Sequence, residues 1–204
     1  MKSCGGRLMG TVYEKYMAHP IDKGLLGLEY GDITEPYFCY PVNAKPIGLE
    51  GCILYCFLPE YGETVFACNP ETCAEQNVYP LAANFEDFIR LILACGTVNP
   101  VEQIVWMSKN QFNEHIANER KNYTGEQKAA VKMLQDGLGL LPMDDPFEYV
   151  KSIQKDFDGS EIQYSDEYYD VTGIENPKGE RAPEKTLCEF EPVVIVVHKK
   201  DDEK

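Results

Sequence analysis

Two strand-sized apolar runs joined by a turn, followed by a helical stripe, restrict this chain to folds that combine a sheet with helices. Residues 51–58 (Gly-Cys-Ile-Leu-Tyr-Cys-Phe-Leu) form the first run, and residues 64–68 (Thr-Val-Phe-Ala-Cys) the second. Pro59-Glu60-Tyr61-Gly62 between them supplies the turn chemistry of a short loop, so the pattern predicts a β-hairpin. The period then changes. Apolar residues recur at Phe85, Phe88, Ile89, Ile92 and Leu93, the i, i+3, i+4, i+7, i+8 spacing of an amphipathic helix. Asn84 is placed to cap it, Glu86 and Asp87 occupy the first turn where the helix dipole favours anions, and Gly96 ends it.

The remaining elements follow by the same reasoning. Residues 7–17, 25–30 and 37–40 are short, aromatic or aliphatic, and separated by Gly, Pro and Asp, which predicts three further β segments. Gly48 and Gly51 mark the entry to the hairpin. A second helix is expected from Asn99, with Pro100 at its first position and Ile104 and Trp106 inside it. Ser108 caps a third that runs through Phe112 and Ile116. Thr124 opens a fourth that ends at Gly137 or Gly139, and Pro146 a fifth over residues 147–157. Residues 176–185 read as loop. Val193-Val-Ile-Val-Val197 is apolar throughout and predicts a closing strand, over residues 190–198, with both faces covered. Residues 199–204 read as a disordered tail. The fold class expected is α+β, a central, mainly antiparallel sheet flanked by helices. Residues 1–120 form its core, and residues 121–204 a helical and acidic segment packed on the same sheet. No internal repeat or low-complexity tract occurs.

Charge narrows the partners. With 34 acids against 19 Lys and Arg, the 204 residues carry a formal −15. Such a surface repels nucleic-acid phosphate and anionic lipid, and no basic run offers a compensating patch. A basic macromolecule is the expected partner; neither nucleic acid nor membrane is. The longest apolar runs are strand-sized, far short of the roughly 20 residues that cross a bilayer. The first residues lack the apolar stretch of a secretory leader, so a cytosolic location is expected.

The residues that carry chemistry in other proteins are present without their usual spacing. Eight cysteines (4, 39, 52, 56, 68, 73, 95 and 188) include no Cys-x-x-Cys pair. Cys52 and Cys56 would lie about 13 Å apart on one strand, too far to share a metal. Cys68 and Cys73 flank a turn. Buried free thiols are the expected state. Of the three histidines, His19 precedes a proline, His115 lies on a helix and His198 ends the last strand; none sits in a catalytic phrase. Cys95, at a helix C-terminus, has the wrong end of the dipole to be activated. Asp156-Phe-Asp158-Gly159-Ser-Glu161 departs from calcium-loop spacing and reads as a solvated acidic loop. No catalytic residue, metal ligand or cofactor is assigned.

The stretch from about Tyr30 to Ile116 resembles the SMI1/KNR4 (SUKH) family. The hairpin over residues 51–68 carries the resemblance, with Pro80-Leu81-Ala82 leading into Asn84-Phe85-Glu86-Asp87-Phe88-Ile89-Arg90-Leu91-Ile92-Leu93. Where that family has an N-terminal helix, this chain has the β-like residues 7–17. The resemblance implies an α+β fold and a binding role. Many bacterial members look like immunity proteins that neutralise toxins, and the fungal ones resemble cell-wall scaffolds. It implies no catalytic residue.

One surface candidate emerges. Residues 161–175 contain five carboxylates and no base, with Tyr164, Tyr168 and Tyr169 among Asp166, Glu167 and Asp170. Residues 141–204 as a whole carry 17 acids and 8 bases, a net −9. Two readings stand: a soluble face with its tyrosines packed inward, or a partner surface, since tyrosine is enriched at interfaces and an acidic rim speeds encounter with a basic protein. The function expected is that of a non-enzymatic protein-binding protein, an intracellular immunity protein that occludes a basic toxin. The alternatives are a small enzyme with a pocket between sheet and helices, or a regulatory scaffold.

Overall fold

A computed structural model describes residues 11–29, 36–72, 76–176 and 179. The four strands β1 (Lys45–Glu50), β2 (Ile53–Phe57), β3 (Val65–Cys68) and β4 (Val78–Ala82) pair in chain order as an antiparallel meander. Among the described residues seven α-helices accompany them: α1 (Val12–Ala18), α2 (Phe85–Cys95), α3 (Asn99–Gln103), α4 (Lys109–Asn122), α5 (Gly125–Leu138), α6 (Pro146–Lys155) and α7 (Asp166–Thr172). This is the α+β class expected, a central antiparallel sheet flanked by helices.

The predicted hairpin is β2–β3, with Leu54 opposite Cys68 and Phe57 opposite Val65. The strand before it, β1, is interrupted in sequence by Pro46 and Gly48. It pairs with β2 through a two-residue turn, Gly51-Cys52, in which Gly51 takes φ +55°. Alternation along the strands divides the interior in two. Tyr55, Val65, Ala67 and Leu81 point to one face, where α1, α2 and α6 cover them. Leu54, Cys56, Phe66, Cys68 and Val78 point to the other, where Tyr40, Phe157, Ile162 and Tyr164 do. Both faces are therefore buried. α2 is the central helix of the first layer: Phe88, Ile89, Leu91 and Ile92 are fully buried, each contributing roughly 1.5–3 kcal/mol by leaving water.

Among the described residues β4 pairs with β3 alone, so Pro80, which has no N–H to donate, is tolerated there. α6 lies along that strand. The Ala83 N–H donates to the Tyr149 hydroxyl at 3.2 Å, and Gln154 Nε2 donates to the Pro80 carbonyl at 3.4 Å.

Helix ends follow the caps expected for α2, α4, α5 and α6. Asn84, Ser108 and Thr124 each accept the N3 amide, Gly96 and Gly139 stand as C-caps, and Pro146 opens α6. Pro100 lies in the first turn of α3, but that helix ends at Gln103, leaving Ile104 and Trp106 beyond it.

Three β expectations are corrected. Within residues 7–17, positions 7–10 lie outside the described residues, and the remainder belongs to α1. The Thr11 side chain and Glu14 form a reciprocal capping box there, and buried Tyr16 shares a face with Tyr13. Within residues 25–30, position 30 lies outside the described residues; over the rest a 3-10 turn, Lys23–Leu26, capped by Asp22, replaces the strand, and Glu29 makes an isolated bridge to Leu49. Residues 37–40 form a turn, with Cys39 and Tyr40 packed inward. The expected closing strand at residues 190–198, the tail 199–204, Cys73 and most of residues 176–185 lie outside the described residues.

Candidate functional site

The acidic, tyrosine-bearing segment is built around α7 on the second face of the sheet. Ile162 is buried in that layer, and the Val42 N–H donates to the Gln163 carbonyl at 2.8 Å. The Tyr164 hydroxyl donates to Asn77 Oδ1 at 2.9 Å, while Asn77 Nδ2 donates to the Cys39 carbonyl at 2.6 Å. Ser165, at the N-cap position, makes no capping bond with its side chain; its hydroxyl donates to the Phe38 carbonyl at 3.4 Å instead. Tyr168 stacks on Tyr164 with centroids 4.0 Å apart and planes 17° off parallel, and its other neighbours include Phe38 at 6.4 Å. Tyr169 meets the Tyr168 ring edge-on at 5.4 Å. Burial first, then neighbouring Cys68 and the two tyrosines, raises the Tyr164 phenol well above its ordinary value. Burial also raises Tyr169.

The six expected surface residues thus divide by direction. Tyr168 is only 4% exposed, and Tyr164 is half-buried and hydrogen-bonded inward, so these two rings anchor the segment. Glu167 and Asp170 face solvent, with Asp166 and Tyr169 half-buried beside them. The outward stripe continues into apolar residues: Val171 is 61% exposed and Ile174 45%. Glu167, Asp170 and Val171 fall at i, i+3 and i+4, so one edge of α7 presents two carboxylates and an aliphatic side chain, with exposed Ile174 just beyond the Gly173 C-cap. The sequence offered Val171 and Ile174 as residues of an acidic segment without separating them from the inward tyrosines.

A second concave feature lies on the opposite face of the sheet, where the first turns of α1 and α2 meet the β2–β3 loop. It is a groove of about 670 Å³. Tyr13, Phe57 and Phe85 form its aromatic lining: Tyr13 meets Phe57 edge-on at 5.4 Å and Phe85 at 4.9 Å. Glu63, Glu86 and Lys45 stand on it as exposed charges. Sequence reasoning missed this site because its residues come from four separate segments. The acidic Pro59–Glu63 turn and the Glu86-Asp87 pair were the available signals.

The remaining chemistry-bearing groups are placed as follows. Cys39, Cys52, Cys56, Cys68 and Cys95 are free thiols, and Cys56 Sγ lies 3.6 Å from Cys68 Sγ across β2 and β3. Glu102 is fully buried and accepts from Trp106 Nε1 at 3.0 Å, Gln103 Nε2 at 2.9 Å and Asn69 Nδ2 at 3.4 Å. The loop after α6 is pinned by its own turn, the Ser160 N–H donating to Asp158 Oδ1 at 2.9 Å. Among the described residues, no group of three His, Cys, Asp or Glu side chains is arranged to hold a metal ion, and no helix is long and apolar enough to cross a membrane.

No protein-family model, curated protein or solved structure matches this chain.

Proposed function

We propose that this is a protein-binding protein whose α7 edge docks on a basic polypeptide, and that it acts by stoichiometric occlusion, as an intracellular immunity protein does on its toxin. The observation that carries the reading is the division of labour in α7. Tyr164 and Tyr168 are committed to the interior through Asn77 and Phe38, which leaves Glu167, Asp170 and Val171 exposed on a supported helix and Ile174 exposed just after its Gly173 cap. Aliphatic contact flanked by carboxylates gives a desolvated centre and a steering field for a cationic surface. The net −15 extends that field beyond the contact itself. The SMI1/KNR4 resemblance favours the same role, and α1 stands before the sheet where that family carries its N-terminal helix.

The test is binding to the basic polypeptide that co-purifies with the chain, or that its neighbouring gene encodes, measured by calorimetry. Glu167→Lys with Asp170→Lys should weaken the complex at least tenfold, about 1.4 kcal/mol, with most of the loss in association rate at low salt. Val171→Asp should slow association less and hasten dissociation more. Unchanged affinity in both variants would reject this surface.

A second reading, a small enzyme, is favoured by the groove between α1 and α2, which brings Lys45, Glu63 and Glu86 to one cavity. Its signature is turnover of a small molecule that is lost on Glu86→Gln.

A further inference from the structure

The groove on the first face of the sheet has a chemistry of its own. Among the described residues, its walls are rings, Tyr13, Phe57 and Phe85, and its carboxylates are Glu63, Glu86 and Asp87 against a single cation, Lys45. These groups do not carry equal weight. Asp87 is already engaged: Arg90 lies 3.1 Å away, the Tyr149 hydroxyl donates to it at 2.8 Å and Asn84 Nδ2 at 3.0 Å. Glu63 and Glu86 are exposed on the groove, and with Lys45 they leave an excess of one negative charge before Asp87 is counted.

Two helices begin here, and their amides would favour an anion instead. The α2 amide at Asp87 is taken by Asn84 Oδ1 at 2.8 Å, and the α1 amide at Glu14 by Thr11 Oγ1 at 3.2 Å. Each helix end supplies about half a positive charge, and Glu14, Glu86 and Asp87 in the first turns offset it. The balance at the groove is negative. Aromatic walls beneath uncompensated carboxylates suit an organic cation, whose apolar stem lies on the rings and whose head meets the acids.

We infer that this groove receives a lysine or arginine side chain of the basic protein partner. The inference rests on the proposed binding of a basic polypeptide, but it uses the face of the sheet opposite α7, so the two surfaces succeed or fail separately. A peptide-borne side chain is favoured over a free small cation by size: about 670 Å³ lies within the roughly 300–1,000 Å³ of sites that enclose drug-sized ligands, enough for the side chain and the backbone that carries it.

The test titrates the isotopically labelled full chain with acetyl-Gly-Arg-Gly-amide, following backbone amide shifts by NMR. The neutral isostere with citrulline in place of arginine and free ethylguanidinium serve as comparison probes. Expected are shifts confined to Val12, Tyr13, Phe85 and their neighbours, with binding at least tenfold weaker for citrulline and for the Glu63→Gln, Glu86→Gln double variant. Both glutamates are exposed, so that variant should keep the parent spectrum outside the groove. Glu167→Lys with Asp170→Lys should leave this titration unchanged, which separates a failure of the α7 surface from a failure of the groove. Equal binding of citrulline would make the groove merely apolar and overturn the inference. Shifts that map elsewhere would also overturn it, as would ethylguanidinium binding as tightly as the peptide.

Discussion

The Tyr164 hydroxyl and Asn77 Oδ1 are 2.9 Å apart although 87 residues separate them in the chain. Asn77 is 1% exposed and sits at the start of β4, and its amide nitrogen donates to the Cys39 carbonyl at 2.6 Å. One buried amide therefore joins three segments distant in sequence: the turn over residues 37–40, the edge of the sheet, and the approach to α7. Removing it strands a carbonyl and a hydroxyl in an apolar layer. Asn77→Ala should cost about 2–4 kcal/mol, the sum of two unmet buried groups at roughly 1–3 each, less relaxation. Tyr164→Phe, which leaves only Asn77 Oδ1 unmet, should cost about 1–2 kcal/mol. Urea unfolding measures both. Hydrogen exchange should show protection lost first in α7 and residues 38–42, whereas a uniform loss would mean that the bond does not hold the segment.

Gly96 lies hard against the Tyr123 ring. It caps α2 at φ +93°, and a Cβ built on it would lie 2.3 Å from Tyr123 Cε2. That ring is held in place by its hydroxyl, which donates to the Cys95 carbonyl at 2.7 Å. Gly96→Ala should destabilise by about 2–3 kcal/mol, combining positive-φ strain of roughly 1–2 with a displaced hydrogen bond of about 1. Tyr123→Ala removes the clash, so the double variant should be more stable than the sum of the two single losses predicts, by denaturant unfolding. Strict additivity would show that the ring is not the obstacle.

The elements legible in the sequence are those whose signal is local. Asn84, Ser108 and Thr124 sit three residues before Asp87, Gln111 and Gln127, and all three helices start where those caps place them. The β2–β3 hairpin is two apolar runs about one turn. The misreadings share a cause: short segments whose structure is decided by distant contacts. Tyr13 and Tyr16 look like strand residues until Phe57 and Phe85 give their rings a partner, although Thr11 and Glu14 already spelled a capping box. Pro46, Gly48 and Pro80 argue against strands, yet among the described residues β1 and β4 are the outer strands of the sheet, where a missing donor is tolerated. The acidic character of residues 161–175 was plain. Which tyrosines turn inward depended on Asn77 and Phe38, far away in sequence.

Glu50, at the end of β1, is predicted to make stability pH-dependent. Burial raises its carboxyl above the ordinary value, more than the hydrogen bonds from Tyr55 at 2.9 Å and from Asn99 lower it. A carboxyl raised in the folded state stabilises the fold while protonated, and that contribution is lost as pH rises through the folded value. Glu50→Gln keeps an acceptor for Tyr55 without the charge. It should raise the urea midpoint at pH 7, with the advantage shrinking as pH falls toward 4. An advantage that is constant with pH would show that Glu50 is not the titrating group.

Cys95 provides a chemical test of the core. It ends α2 at 1% exposure, and burial pushes its thiol up to about 12 despite the opposing pull of Arg120, whose side chain donates to the neighbouring Ala94 carbonyl at 2.9 Å. At pH 8 only about one molecule in ten thousand would carry the thiolate that alkylating agents require. Cys68 is raised in the same direction, by burial first and then by Cys56. Cys52, in the β1–β2 turn, is half-exposed and within reach of reagent. Iodoacetamide at pH 8 should therefore modify Cys52 while leaving Cys95 and Cys68 unmodified in the native protein, with all three labelled in urea, as read by peptide mass mapping. Gly96→Ala, which displaces the ring covering this helix end, should expose Cys95 selectively. If Cys95 reacts as fast as Cys52 in the parent chain, the packing of Tyr123 and Arg120 over the end of α2 is not maintained in solution.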